Sequence, residues 1–349
     1  MSPASSDLTA PIADALDRIA PGLEQVERAM RDQLASQTEA VSLVGDHVLS
    51  SGGKRIRPAL LFFAAEMCGY DGPRCVQIAA SVELLHTATL LHDDVVDLSD
   101  LRRGRPAAHA VFGNRRAVLV GDYLYARASS MIVEDGDAEI QWLFSDTIRR
   151  MAEGELLQLQ RGFDPDVTET VYFDVIERKS AALLSAAAEA GAILAGVTRA
   201  ERRRLSDFGR QIGLAFQLRD DALDYSGGEK ELGKRPYDDL REGKVTLPLL
   251  LTLKRATPRE RDEVASVLKA LSRAAAHGDA VPEERDAALS DVDLVPVLGL
   301  VERYRGVEDT VRRARELAEG AKTCIEPFPD GPGKRALVAA GDYAVGRDS

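Results

Sequence analysis

Two stretches of the chain repeat one pattern: Asp93-Asp94-Val95-Val96-Asp97 and Asp220-Asp221-Ala222-Leu223-Asp224. Each closes an apolar, helix-forming run. Positions i and i+4 of a helix share a face, so Asp93 and Asp97 can aim at one point and Asp220 and Asp224 at another. Six carboxylates gathered at one site repel strongly unless cations complete it. Hard oxygen ligands select Mg²⁺, which keeps part of its water shell and bridges protein carboxylates to substrate phosphates. For either cluster alone, a solvated acidic helix end is the simpler reading. Aspartates at a helix C-terminus oppose the macrodipole, however, and this chain accepts that penalty twice.

Cations occur where such a substrate would need them. Gly52-Gly53-Lys54-Arg55-Ile56-Arg57-Pro58 puts three positive side chains in a glycine-softened loop that enters a helix N-terminus, where backbone amides also attract anions. Arg102-Arg103-Gly104-Arg105 lies just beyond the first acidic cluster and can clamp a phosphate beside the metal. Read singly, each is an ordinary basic loop. His86 stands seven residues before Asp93, on the same helical face.

The elements that must position these residues read as helices. The chain has 349 residues, 45% of them hydrophobic, which is enough for one large core. Aromatics make up only 5%, and blocks such as Ala181 to Gly196 favour helix over sheet. Periodicity predicts a loose tail over residues 1–10 and a helix from Ile12 to Ser50. Further helices are expected from Pro58 to Met67, Val76 to Asp97, Asn114 to Val133, Glu139 to Gln160, Thr168 to Leu194, Arg199 to Leu223 and Leu247 to Leu253. Residues 274–291 read as a surface excursion, so residues 11–349 form a single all-α domain. A net charge of -12 argues against a nucleic-acid partner. Three cysteines without metal spacing suit a reducing compartment, and nothing in the sequence suggests export or a membrane span, so the expected location is the cytoplasm.

Taken together, Gly52 to Pro58, His86 to Arg103, Lys179-Ser180, and Gln217 to Asp224 followed by Gly233-Lys234 and Gly243-Lys244 resemble the trans-isoprenyl diphosphate synthase family. The resemblance implies an all-α, single-domain helical bundle around a deep central cavity, a homodimer, and a Mg²⁺ cofactor. It also implies two substrates, isopentenyl diphosphate and an allylic diphosphate, joined head to tail. Carried over by position, Asp93, Asp97 and Asp220 would bind metal directly, while Asp94, Asp221 and Asp224 would support it through water. Arg102, Lys179, Gln217 and Lys234 would hold the allylic diphosphate, with Ser180 in place of the family's usual threonine. Lys54, Arg57, His86 and Arg103 would hold isopentenyl diphosphate.

Ala88 and Thr89, about one helical turn before Asp93, would line the path of the growing chain. Neither can plug it, so a long product of octaprenyl type is expected ahead of a farnesyl or geranylgeranyl one. A terpene cyclase or head-to-head coupling enzyme would not need the second cradle at Lys54 and Arg57. A non-catalytic subunit of a heteromeric synthase has little reason to keep both aspartate sets.

Overall fold

The computed structural model describes residues 3–50, 52–102, 104–226, 237–275 and 288–346. Lys234 and Arg103, both expected at the site, lie outside the described residues, as does most of the excursion over 274–291.

The chain is a helical bundle, with helices α1 (Pro3–Asp32), α2 (Glu39–Leu49), α3 (Ile56–Met67), α4 (Arg74–Val96), α5 (Ala108–Phe112), α6 (Asn114–Asp135), α7 (Ala138–Gln160) and α8 (Glu169–Ile176) in its first half. A π-helical turn, Glu177–Ala181, leads into α9 (Ala182–Leu194) and α10 (Arg199–Asp224). The remaining elements are α11 (Asp238–Arg241), α12 (Leu247–Arg255), α13 (Pro258–Ala275), α14 (Val295–Arg303), α15 (Gly306–Ile325) and α16 (Pro332–Gly346). The only strands among the described residues are the two-residue pair Leu101–Arg102 and Arg105–Pro106, an antiparallel hairpin just past α4.

Local chemistry explains several boundaries. Thr198 accepts from Glu201 N while the Glu201 carboxylate accepts from Thr198 N at 2.8 Å, a reciprocal cap that starts α10. Asp137 caps α7 through Glu139 N at 2.9 Å. The helix expected from Ile12 to Ser50 is instead two. Ser36 Oγ accepts from Thr38 N at 3.1 Å, and a short polar side chain that captures a nearby amide competes with the helix ladder. At the other end α1 begins at Pro3, ahead of the expected boundary at Ala10. Proline suits a first turn, and Ala4, Leu8 and Ala10 are good helix formers.

Helix α9 is the axis of the bundle. Apart from Glu189, every one of its side chains is buried, and α3, α7 and α10 pack around it. Helices α4 and α6 run antiparallel. Gln77 Nε2 donates to Met131 O at 2.7 Å and Arg74 grips Asp135 at one end, and His92 meets Val118 O at 3.1 Å at the other. This scaffold holds the acidic C-termini of α4 and α10 in place.

Candidate active site

The first aspartate set ends α4. Asp94 is 4% exposed and accepts from Arg102 Nε at 2.8 Å, with a second bond from the same guanidinium to the same oxygen. Arg102 is thereby fixed on the short hairpin. Asp97 caps α4 and pairs with Lys244 Nζ at 3.0 Å. Lys244 also pairs with Glu242 at 2.5 Å. Burial alone would lower the pKa of this lysine, but Glu242, Asp97 and Asp239 together hold it well above the usual lysine range. The segment that follows α10 is thus tied to the end of α4. Gly243 is required there: its φ is +82°, and a Cβ would meet the Phe163 ring at 2.7 Å. Phe163 N in turn donates to Gly243 O at 2.8 Å.

The second set ends α10. Asp221 is 2% exposed and accepts from Tyr172 OH at 2.5 Å and from Gln217 Nε2 at 2.8 Å. Ser180 Oγ donates to Gln217 Oε1 at 2.7 Å, linking the π-helical turn to α10. Asp224 Oδ1 accepts from Asp238 N at 3.1 Å, which pins the returning chain. Lys179 sits on the π turn and pairs with Glu155 of α7 at 2.5 Å. Single π turns place side chains out of the ordinary helical register and occur often at functional sites.

Burial lifts the Asp93 carboxyl to about 6; Glu155 and Asp97 push it further the same way, against Lys179 and Arg102. Burial likewise lifts Asp221 to about 8, reinforced by Asp239 and opposed by the bonds from Tyr172 and Gln217. Carboxylates whose charge is disfavoured by burial are a fitting donor set for a cation. Among the described residues, no three carboxylates or imidazoles stand close enough to hold an ion by themselves. The six expected aspartates therefore form no ready-made cage. One or two carboxylates per ion, with substrate phosphate oxygens completing the shell, is the mode in which Mg²⁺ is commonly bound.

A small, partly open cleft lies beside the first set. Gly52, Arg55, Glu83, His86, Asp94 and Arg102 are among its lining residues. Lys54 Nζ lies over the Tyr343 ring at 5.1 Å from its centroid, and Arg57 occupies the first turn of α3. Ala88 is 2% exposed and belongs to the apolar cluster that contains Leu85, Leu91, Val120 and Leu124. Thr89 is half-buried and donates to His86 O at 2.8 Å.

Sequence reasoning missed Glu155, Tyr172, Glu83 and the role of Lys244. No local pattern marks the first three. Lys244 stands in a recognisable Gly-Lys pair, but its partner Asp97 lies 147 positions away.

An all-α bundle with two aspartate clusters tied together at one end, flanked by basic residues, defines a class of enzyme that handles diphosphates with the help of metal. Within that class the chain belongs to the polyprenyl synthetase family, whose model matches residues 38–283, and it is a prenyltransferase. It is 42% identical to the octaprenyl diphosphate synthase of Escherichia coli (strain K12), over 93% of this chain and 95% of that one. It is 37% identical to the all-trans-nonaprenyl-diphosphate synthase of Rhodobacter capsulatus, over 96% and 97%. The structure resembles the polyprenyl synthase from Caulobacter crescentus CB15 complexed with calcium and isoprenyl diphosphate, with a TM-score of 0.85, 38% identity, and coverage of 97% and 98%.

Proposed function

We propose that this chain is an all-trans, long-chain polyprenyl diphosphate synthase, with Mg²⁺ as its metal and isopentenyl diphosphate and an allylic diphosphate as substrates. The observation that carries the reading is that two acidic helix ends have basic side chains of two origins near them, Lys54 and Arg57 of the loop that enters α3 and Arg102 and Lys179 beside the aspartates, with His86 and Gln217 as polar partners. Two diphosphates need two cradles. The names of the octaprenyl and nonaprenyl relatives support the long product.

In this reading Asp93, Asp97 and Asp220 hold the metal, while Asp94, Asp221 and Asp224 orient their surroundings. Asp94 acts by fixing Arg102, and Asp221 by its bonds to Tyr172 and Gln217. When bound, magnesium supplies positive charge that stabilises the diphosphate as it leaves. Lys179 exchanges Glu155 for the allylic diphosphate, and Arg102 and Gln217 hold that diphosphate in line. The allylic carbon left behind is attacked by the isopentenyl double bond, which Lys54, Arg57 and His86 position. The proton then lost goes to the released diphosphate.

Product length is set below Asp93, where Ala88 and Thr89 put no ring in the way. A location in the cytoplasm is supported by three free cysteines. No helix among the described residues is long and apolar enough to cross a membrane. We also propose a homodimer, supported by the apolar outer faces of α6 and α7, where Leu119 is 66% and Trp142 73% exposed.

The test is incubation with both substrates and Mg²⁺, followed by chromatography of the products. The parent should make chains well beyond C20, and EDTA should stop it until Mg²⁺ is restored. Ala88→Phe should end most chains near C15 to C20, because overpacking a dense interior does not relax cheaply. An unchanged product distribution would remove Ala88 from the chain's path. Short products from the parent would overturn the long-chain assignment.

A further inference from the structure

The three cations of the Gly52–Pro58 loop do not act alike. Lys54 reaches the Tyr343 ring, and Arg57 lies in the first turn of α3. Arg55, between them, turns inward. Its side chain is 10% exposed, and NH1 donates to Glu83 Oε1 at 2.8 Å, while Nε reaches Glu27 Oε1 at 3.4 Å. The Glu83 side chain is 5% exposed, and its other oxygen, Oε2, is buried without a hydrogen-bond partner among the described residues. Both residues line the cleft that also holds His86 and Arg102.

The backbone at Arg55 is unusual too. It caps α3 with φ 47° and ψ 38°, in the left-handed region that residues with a Cβ seldom adopt. Such a conformation persists only where the surroundings over-determine it. The Arg55 side chain is held from two sides, by Glu27 and by Glu83, and Glu83 stands one turn before His86 and Thr87 on α4, where its carbonyl accepts from Thr87 Oγ1 at 2.7 Å. A buried ion pair is a poor source of net stability against apolar residues of like size, so its value here is as a fixed point.

We propose that Arg55 and Glu83 form a positioning clasp for the isopentenyl diphosphate cradle. The pair locks the loop to α4, so that Lys54 before it and Arg57 after it face the same anion as His86. The clasp acts by placing Lys54 and Arg57, and it takes no part in the bond-making step. The inference rests on assigning this cleft to isopentenyl diphosphate.

The experiment compares steady-state kinetics for both substrates in the parent, Glu83→Gln, Arg55→Lys, and the double variant Arg55→Met with Glu83→Met, each with its unfolding temperature. The double variant removes both charges and leaves no lone buried ion. Glu83→Gln and the double variant should raise the KM for isopentenyl diphosphate tenfold or more and leave the KM for the allylic primer within twofold. Arg55→Lys should recover part of the loss. An inactive parent would sink the functional reading itself. An active parent with a double variant of unchanged KM would sink only the clasp. So would a double variant that fails to fold, or one that loses kcat and thermal stability with no separation between the two substrates, since the pair would then be structural.

Discussion

At the scale of single residues, two carboxylates of the site, Asp93 and Asp221, are disfavoured as charges by burial. Asp221 has an ordinary value of 3.8 in the unfolded chain and about 8 in the folded one, chiefly because burial disfavours its charge. The sign follows from linkage: a raised pKa means that the folded chain binds this proton more tightly. The resulting stabilisation is complete below pH 3.8 and is lost as pH rises through about 8. Asp93, lifted to about 6, adds a similar loss that ends sooner. In EDTA, the stability of the parent should therefore carry a component that falls between pH 5 and 8, with a slope approaching about 1.4 kcal/mol per pH unit for one proton. Asp221→Asn cannot ionise, so the difference in stability between parent and variant should change with pH in that window. Chemical denaturation at several pH values would measure it. A constant difference would mean that Asp221 is ionised throughout.

At the scale of elements, what matters is how closely helices can approach around the π turn that carries Lys179. A Cβ at Gly154 of α7 would lie 2.7 Å from Lys179 N and 2.8 Å from Arg178 Cβ. Gly154→Ala should cost about 1–3 kcal/mol of stability, as overpacking does, and should also displace Lys179 from its place beside Glu155. Thermal unfolding together with the KM for the allylic primer would check both effects. A variant with parental values in both would mean that the turn moves aside freely.

The same turn shows what the sequence could reveal. The aspartate clusters are legible because spacing of four on a helix is local information, and α10 begins where a Thr-x-x-Glu cap says it should. Periodicity also found α4, α6 and α7 to within a few residues. The π turn inside the expected Thr168–Leu194 helix leaves no local mark in the sequence, and the close approach of Gly154 of α7 and Gly213 of α10 to it is a contact between distant segments. The bonds of Arg102 to Asp94 and of Lys244 to Asp97 escaped for a related reason. Charge types are visible in a sequence, but partners are chosen in three dimensions. The break at Ser36 was legible in principle, since Ser-Gln-Thr supplies the competing side chains.

At the scale of the whole molecule, the exposed apolar side chains of the described residues gather most densely on two consecutive helices. On α6, Val118, Leu119 and Val133 face outward, at 36%, 66% and 61% exposure. On α7, across the Gly136 turn, Trp142, Leu156 and Leu159 do the same at 73%, 59% and 54%. Single exposed apolar residues are common, but several on the outer faces of two helices mark a surface that is normally covered. A second copy of the chain is the partner that the proposed homodimer supplies, and a two-fold contact would let each copy cover the other. Light scattering should accordingly give twice the chain mass at micromolar concentration. Leu119→Glu, which places a charge on the most exposed of the α6 positions, should shift the mass toward one chain without changing the helical circular dichroism. None of the site residues is on α6, and the Leu119 side chain is on the outer face, away from the His92 contact of Val118 O, so a folded monomer should keep its metal dependence. A parent that runs as a monomer at high concentration would remove the dimer from the proposal and leave the chemistry of the aspartates and cradles as argued.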